Sequence, residues 1–413
     1  MKSHKKNFSE TLRGMFRLGA GLLPRSVLDA METSEAFVPY VQQGQFDQLL
    51  EEYRELRIAF VRQDVFTDLY CCDHQLPAEE IVRQSTCRTG PAGLLVDLGA
   101  DYWIVKEDTA AECSAWAEKI AGDKDPDPEK YREQKKSIPH DGKWGHSHPF
   151  SYYAASVDEV PWNNYDIVIS LDISVPYRII EKARRPLWVY MPGDPGVPTA
   201  KRSLKRPPGN YDISLTHGFR RHPVRPSLGD RAIEFPYTFL RKKTWEKVFS
   251  CPELEKKRGI MMENHTWDLL SSAEKAEYET TGPLSRPKGS LPEVAQTLNR
   301  SRYYLRCGGR PIVGNGLVEA IAAGCVAIGR RSEFINRSLL CATALIDDLQ
   351  QGIEKIREFE LSSERLDRIR GIQGNLLDYY CFYRPAHELL EIWHRIKGPR
   401  HFKYTAIHQK ITG

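Results

Sequence analysis

No run of 18 or more apolar residues occurs in the 413-residue chain, so no membrane-spanning helix is expected. Net charge is nearly absent. Lys and Arg total 59 against 55 Asp and Glu, leaving +4, which argues against a globally basic nucleic-acid coat. The nine cysteines include no C-x-x-C and no Cys/His ligand spacing, and the one close pair is the adjacent Cys71 and Cys72. They read as free thiols of a reducing cytoplasm rather than a disulfide framework. No G-x-x-x-x-G-K-[ST] occurs, and no G-x-G-x-x-G follows the first strand signal, which counts against a P-loop and a dinucleotide-binding unit. Asp123, Asp125 and Asp127 sit in a Pro-rich polar stretch and read as a solvated loop. His146 and His148 have no partner at ligand spacing. No metal and no cofactor are therefore expected.

What is present is ordinary globular composition, with 41% hydrophobic and 28% charged residues. The cations are uneven. Residues 1–25 hold six (Lys2, Lys5, Lys6, Arg13, Arg17, Arg25) against Glu10 alone. The apolar run in this segment is broken by Arg17, which argues against a signal peptide. Phe8, Leu12, Met15, Phe16 and Leu22 recur at helical spacing. A basic helix over 1–30 is expected, with a peripheral contact to anionic lipid through residues 1–25 as one use for it. Residues 201–243 hold eleven Lys and Arg against Asp212, Asp230 and Glu234, which suits an anionic acceptor. Little aromatic interleaving accompanies them, so nucleic acid is not expected.

Strand and helix signals alternate in two blocks. Strands are predicted at Arg57–Arg62, Tyr102–Val105, Asp166–Leu171, Leu187–Met191, Tyr211–Leu215 and Ala232–Phe235. A second set follows at Gly259–Glu263, Tyr303–Arg306, Cys325–Gly329 and Ala344–Ile346. Helices are predicted between them, including Pro176–Arg184, Thr266–Thr280, Leu291–Arg300, Leu317–Ala323, Leu349–Phe359, Ser363–Tyr379 and Pro385–Ile396. Alternation of this kind predicts parallel, doubly wound α/β sheets. Three segments follow: a lobe over 1–250, a second over 251–395, and a tail over 396–413.

The most informative segment is 301–330, which reads as strand, glycine loop, helix and strand. Gly308, Gly309, Gly314 and Gly316 precede the helix, where backbone N–H groups and the helix dipole favour a phosphate. Glu319, expected in the first helical turn, is suited to accept both hydroxyls of a ribose. Gly324 fits the position just past a helix end.

Three runs in this segment are Ser301-Arg302-Tyr303-Tyr304-Leu305, Leu317-Val318-Glu319-Ala320-Ile321 and Gly324-Cys325-Val326-Ala327-Ile328. Together they resemble the donor-binding core of GT-B glycosyltransferases, nearest to the exostosin-like family and more distantly the fucosyltransferases. The resemblance is specific over about 30 residues and topological elsewhere. It departs from the family at Ala327, where a proline is usual. It also departs at Pro311, where the first glutamate of a Glu-x7-Glu pair would stand. It implies two Rossmann-like lobes facing a central cleft, with the nucleotide sugar on the C-terminal lobe and the acceptor on the N-terminal lobe. It also implies a ribose on Glu319, a diphosphate on the backbone of Gly316 and Leu317, no metal, and inversion at the sugar.

Ligands of open α/β sheets sit beyond the carboxyl ends of strands. That rule adds Asn315, Asn264, His265 and Arg306 as donor contacts, with Arg310, Arg286 and Lys288 as phosphate cations. Asp194 and Asp64, in loops after strands, compete as the base, with His146 as a further candidate. The function implied is transfer of a sugar from a nucleotide-sugar donor to a glycan or lipid-linked acceptor, including anionic ones, in polysaccharide biosynthesis. A cytoplasmic chain, peripheral at a membrane, fits that role. Two other readings compete. One is a non-catalytic glycan-binding protein on the same frame. The other is an S-adenosylmethionine methyltransferase, faintly echoed by Leu95-Val96-Asp97-Leu98-Gly99-Ala100.

Overall fold

A computed structural model describes residues 34–63, 94, 97–106, 152–171, 175–191, 210–217, 232–235, 240–248, 253–281, 291–308, 315–331 and 337–397. The expected basic helix over 1–30 and the tail beyond 397 lie outside them, as does most of the basic 201–243 stretch.

The first lobe is built on seven parallel strands. These are β1 (Ile58–Gln63), β2 (Asp101–Lys106), β3 (Tyr152–Ser156), β4 (Ile167–Leu171), β5 (Leu187–Met191), β6 (Ile213–His217) and β7 (Ala232–Phe235). Their spatial order is β3-β2-β1-β4-β5-β6-β7, so the winding direction reverses between β1 and β4. Alternate residues of each strand feed different cores, as the twofold strand period requires. Ile58, Phe60, Ile167, Ile169, Leu187 and Val189 pack on one face. Ala59, Val61, Val168, Trp188 and Tyr190 pack on the other. Both faces are apolar because both are covered, which is how parallel sheets are stabilised. Helix α1 (Gln43–Arg54) covers the first face with Phe46, Leu49 and Tyr53. Helix α2 (Tyr177–Lys182) and Trp162 cover the second. Strand β3 was not foreseen; its sequence follows a long polar stretch that masks it.

The second lobe is smaller. After α3 (Lys242–Val248) come β8 (Ile260–Met262), α4 (Asn264–Asp268), α5 (Ser272–Thr281), α6 (Leu291–Arg300), β9 (Tyr303–Arg306), α7 (Asn315–Ala322), β10 (Val326–Arg330) and β11 (Leu345–Ile346). The four strands are parallel, in the order β11-β10-β9-β8. Helices α8 (Leu349–Glu360) and α9 (Ser363–Leu377) follow, then a π-helical turn (Asp378–Tyr383) and α10 (Arg384–Ile396). The single helix expected over Thr266–Thr280 is two helices. The Ser271 hydroxyl accepts from the Glu274 N–H, and the Glu274 carboxylate accepts from the Ser271 N–H, a capping box that restarts the helix.

Both backbone groups of Ala327 are in use. The buried Gln373 side chain accepts from the Ala327 N–H at 2.9 Å and donates to its carbonyl at 2.7 Å. A proline has no N–H to give.

Three segments tie the lobes together. Helix α10 returns to the first lobe, where Ala386, Leu389 and Leu390 join the core under β1 and β4. The Tyr53 hydroxyl donates to the Ala386 carbonyl at 2.5 Å. The connection into α3 is clamped from both sides. Asp97 accepts from the Arg241 N–H, the Arg241 Nε and the Thr244 hydroxyl. Asp378 in the π-turn accepts from the Lys242 N–H at 2.9 Å. Finally Glu35, upstream of α1, pairs with Arg368 at 3.0 Å and accepts from the Thr343 hydroxyl.

Candidate donor-binding site

The carboxyl edge of the second sheet gathers the polar groups. Strand β9 ends at Arg306, whose side chain is 1% exposed. Strand β8 ends one residue before Glu263. Its carboxylate pairs with Arg306 and accepts from the Tyr304 hydroxyl. Burial, and then the nearby Glu319 carboxylate, hold the Tyr304 hydroxyl well above the usual phenol range. Tyr304 therefore stays protonated and remains a donor.

Helix α7 closes the site. It begins at Asn315, two residues before its expected start, so Glu319 lies in the second turn rather than the first. Glu319 is fully buried. Gly316 is in the first turn, and a Cβ there would stand 2.8 Å from Glu263 Oε1 and 3.0 Å from Tyr304 Oη. A larger residue there would have to push the carboxylate and the tyrosine hydroxyl away from the helix start. The helix ends as expected. Gly324 has φ +82°, Gly324 N–H donates to the Ile321 carbonyl, and Cys325 N–H donates to that of Ala320.

Leu317 is buried, with its side chain in the core between α7 and the sheet. Asn264 opens α4, and His265 beside it is exposed. Thr266 in the same helix accepts from the Cys307 N–H at 2.8 Å, fixing where the chain leaves β9. The structure thus brings Glu319, Gly316, Leu317, Asn315, Arg306, Asn264 and His265 to one edge. Arg310, Arg286, Lys288, Asp194, Asp64 and His146 lie outside the described residues.

Glu263, Tyr304 and Thr266 were missed from sequence. Glu263 was read as the last residue of a strand, yet the end of a strand is where a ligand-facing group belongs. Tyr304 sits inside a strand run, where burial is the ordinary expectation for an aromatic.

The Asp97 segment that echoed a methyltransferase motif has another use. Its residues 97–100 lead directly into β2, at the amino end of the sheet, and its carboxylate is spent on Arg241 and Thr244. Cys307, Cys325, Cys341 and Cys381 are buried free thiols. Among the described residues no helix is long and apolar enough to cross a membrane, and no cluster of three or more His, Cys, Asp or Glu side chains is placed to hold a metal.

No protein-family model matches the chain, and no curated protein matches it in sequence. Solved structures do resemble it in shape. T4 phage BGT in complex with UDP and Mn2+ aligns at 12% identity and a TM-score of 0.40, over 82% of this chain and 99% of that one. Anabaena HepE in complex with UDP aligns at 11% and 0.40, over 83% and 100%. The pneumococcal O-GlcNAc transferase GtfA aligns at 11% and 0.31, over 55% and 56%.

Proposed function

We propose that this chain is a glycosyltransferase of the GT-B type, nearest to the exostosin-like enzymes. It moves a sugar from a nucleotide-sugar donor to a glycan or lipid-linked acceptor. The observation that carries the reading is Glu319. It is a fully buried carboxylate on a helix that begins after a glycine-rich stretch of sequence, at the carboxyl edge of a parallel sheet. Burying a carboxylate costs several kcal/mol that its surroundings must offset, and this one lies on the helix beside the edge where ligands of parallel sheets bind. In this reading it accepts the two ribose hydroxyls, and the diphosphate lies on the backbone of Gly316 and Leu317 at the start of α7.

The chemistry is a single displacement with inversion and without a metal. The acceptor hydroxyl oxygen bonds to the anomeric carbon as the bond to the diphosphate oxygen breaks. The hydroxyl proton passes to a base, for which Asp194, Asp64 and His146 are the candidates. The nucleoside diphosphate leaves with the bonding pair. Arg310, Arg286 and Lys288 are the cations suited to meet its charge. The acceptor sits on the first lobe, where the basic 201–243 stretch favours an anionic one.

The test is Glu319→Ala. Nucleoside diphosphate sugars at a hundred times their Kd should raise wild-type stability by about 2.7 kcal/mol. The variant should keep the fold and lose that shift for every donor. A variant that turns over donor at the wild-type rate removes this assignment.

A further inference from the structure

Glu263 lies where an incoming phosphate would have to go. One carboxylate oxygen accepts from Tyr304 and the other pairs with Arg306. The contact through Gly316 puts the same carboxylate against the first turn of α7. Two features attract an anion here: the partial positive charge of a helix start and a buried guanidinium. Glu263 satisfies both from within the chain. Its side chain is 22% exposed while that of Arg306 is 1% exposed. The carboxylate stands at the solvent boundary and the guanidinium does not.

We propose that Glu263 is an internal counter-anion that sets the preference of this site for the intact donor over the spent nucleotide. The inference rests on the nucleotide-sugar reading above. A diphosphate seated on Gly316 must displace the carboxylate from Arg306 or share the site with it, and the two repel. The repulsion is unequal. In a nucleotide sugar each phosphate carries one negative charge. Once the sugar has left, the terminal phosphate is substituted only through its anhydride oxygen and has a second pKa near 6, as a phosphate monoester does, so it carries close to two at neutral pH. The carboxylate therefore opposes the product more than the donor. It hastens the release of nucleoside diphosphate, a step that limits many enzymes. Arg306 acts through Glu263 as a positioning residue, and Tyr304 is the second hold on the carboxylate.

The experiment measures Kd by calorimetric titration for UDP, GDP, dTDP and ADP, each beside its glucose conjugate. Wild type, Glu263→Gln and Tyr304→Phe are compared, with thermal unfolding as the check on the fold. Glutamine is nearly isosteric and removes the charge; its one amide oxygen can still accept from Tyr304, while its NH2 cannot accept from Arg306. For whichever nucleotide binds, Glu263→Gln should tighten the free diphosphate roughly tenfold and its glucose conjugate by roughly threefold or less. Tyr304→Phe keeps the charge but loosens it, and should shift the same ratio in the same direction by less. Equal tightening of both ligands, or weaker binding of both, overturns the inference and makes Glu263 a plain contact or a structural group. If the glutamine variant does not fold, an unchanged ratio in Tyr304→Phe overturns it instead. A folded wild type that binds none of the eight ligands overturns the nucleotide-sugar reading itself, and this inference falls with it.

Discussion

In the sheet of the first lobe the described buried polar residues are Ser170 and Ser214, with the sealed Asp97 carboxylate set apart at the junction with α3, and the second face carries six aromatic side chains. Trp162 stands between Trp103 and Trp188, with ring centroids 6.5 and 5.7 Å away. The second lobe instead seals three charged side chains, Lys257, Arg306 and Glu319. They do not share one purpose. Lys257 precedes β8, at the amino edge of the sheet, and its Nζ donates to the carbonyls of Leu298, Asn299 and Ser301. Those carbonyls belong to the end of α6, whose negative pole suits a cation. Arg306 and Glu319 lie at the opposite edge, where strands end and ligands bind. Buried charge therefore has to be read with its position in the sheet: at one edge it closes a helix, at the other it lies where ligands of such sheets bind.

Three substitutions sharpen that contrast. Lys257→Met leaves three carbonyls without their cation and should cost about 3 kcal/mol, read in chemical denaturation. Nucleotide binding should survive it, unlike Glu319→Ala. If Lys257→Met abolishes binding while the fold holds, the division between the two edges is wrong.

Asp378 tests the junction between the lobes. Burial lifts its carboxyl to about 6, against an opposing pull from Lys242. A folded pKa above the unfolded one means the native state binds the proton more tightly. Its contribution is whole below about pH 4 and falls as pH rises through 6. Asp378→Asn should flatten that decline and gain up to about 3 kcal/mol at pH 8, with little change at pH 4. A variant that loses stability equally at both values would show that the carboxylate acts only as a cap for Lys242.

The smallest effect is expected at Gly324. Alanine there must adopt φ +82° and would meet a side-chain carbon of Leu254 at 2.5 Å. Leu254 is half-exposed and can yield, so the cost should be about 1–2 kcal/mol. A midpoint unchanged from wild type would contradict the helix ending described.

Much of this was legible in the amino-acid sequence, for identifiable reasons. Leu187–Met191, Ala232–Phe235, Tyr303–Arg306 and Leu291–Arg300 have the predicted bounds because short apolar runs flanked by turn residues leave few alternatives. The place of Glu319 on a helix and the turn at Gly324 were legible because strand, glycine stretch and helix are adjacent in sequence. Glu263 was not, because its partners Tyr304 and Arg306 are about 40 residues away and meet it only once β8 and β9 pair. Gln373 was missed for the same reason: its partner is a backbone group of β10. The start of α7 was misplaced because Asn315 and Gly316 read as loop residues by composition. Local chemistry survives translation into a string; contacts between neighbouring strands do not.

Helix α10 has a consequence for how the protein is made. The core under β1 and β4 is completed by Ala386, Leu389 and Leu390, about 150 residues after β7 leaves the ribosome. At ordinary translation speeds the part of the sheet's apolar face not covered by α1 waits roughly 10–30 s for its cover. During that interval the nascent chain is a natural client for a chaperone. A ribosome that stalls between β7 and α10 would release a lobe whose strands are paired and whose apolar face is only partly covered.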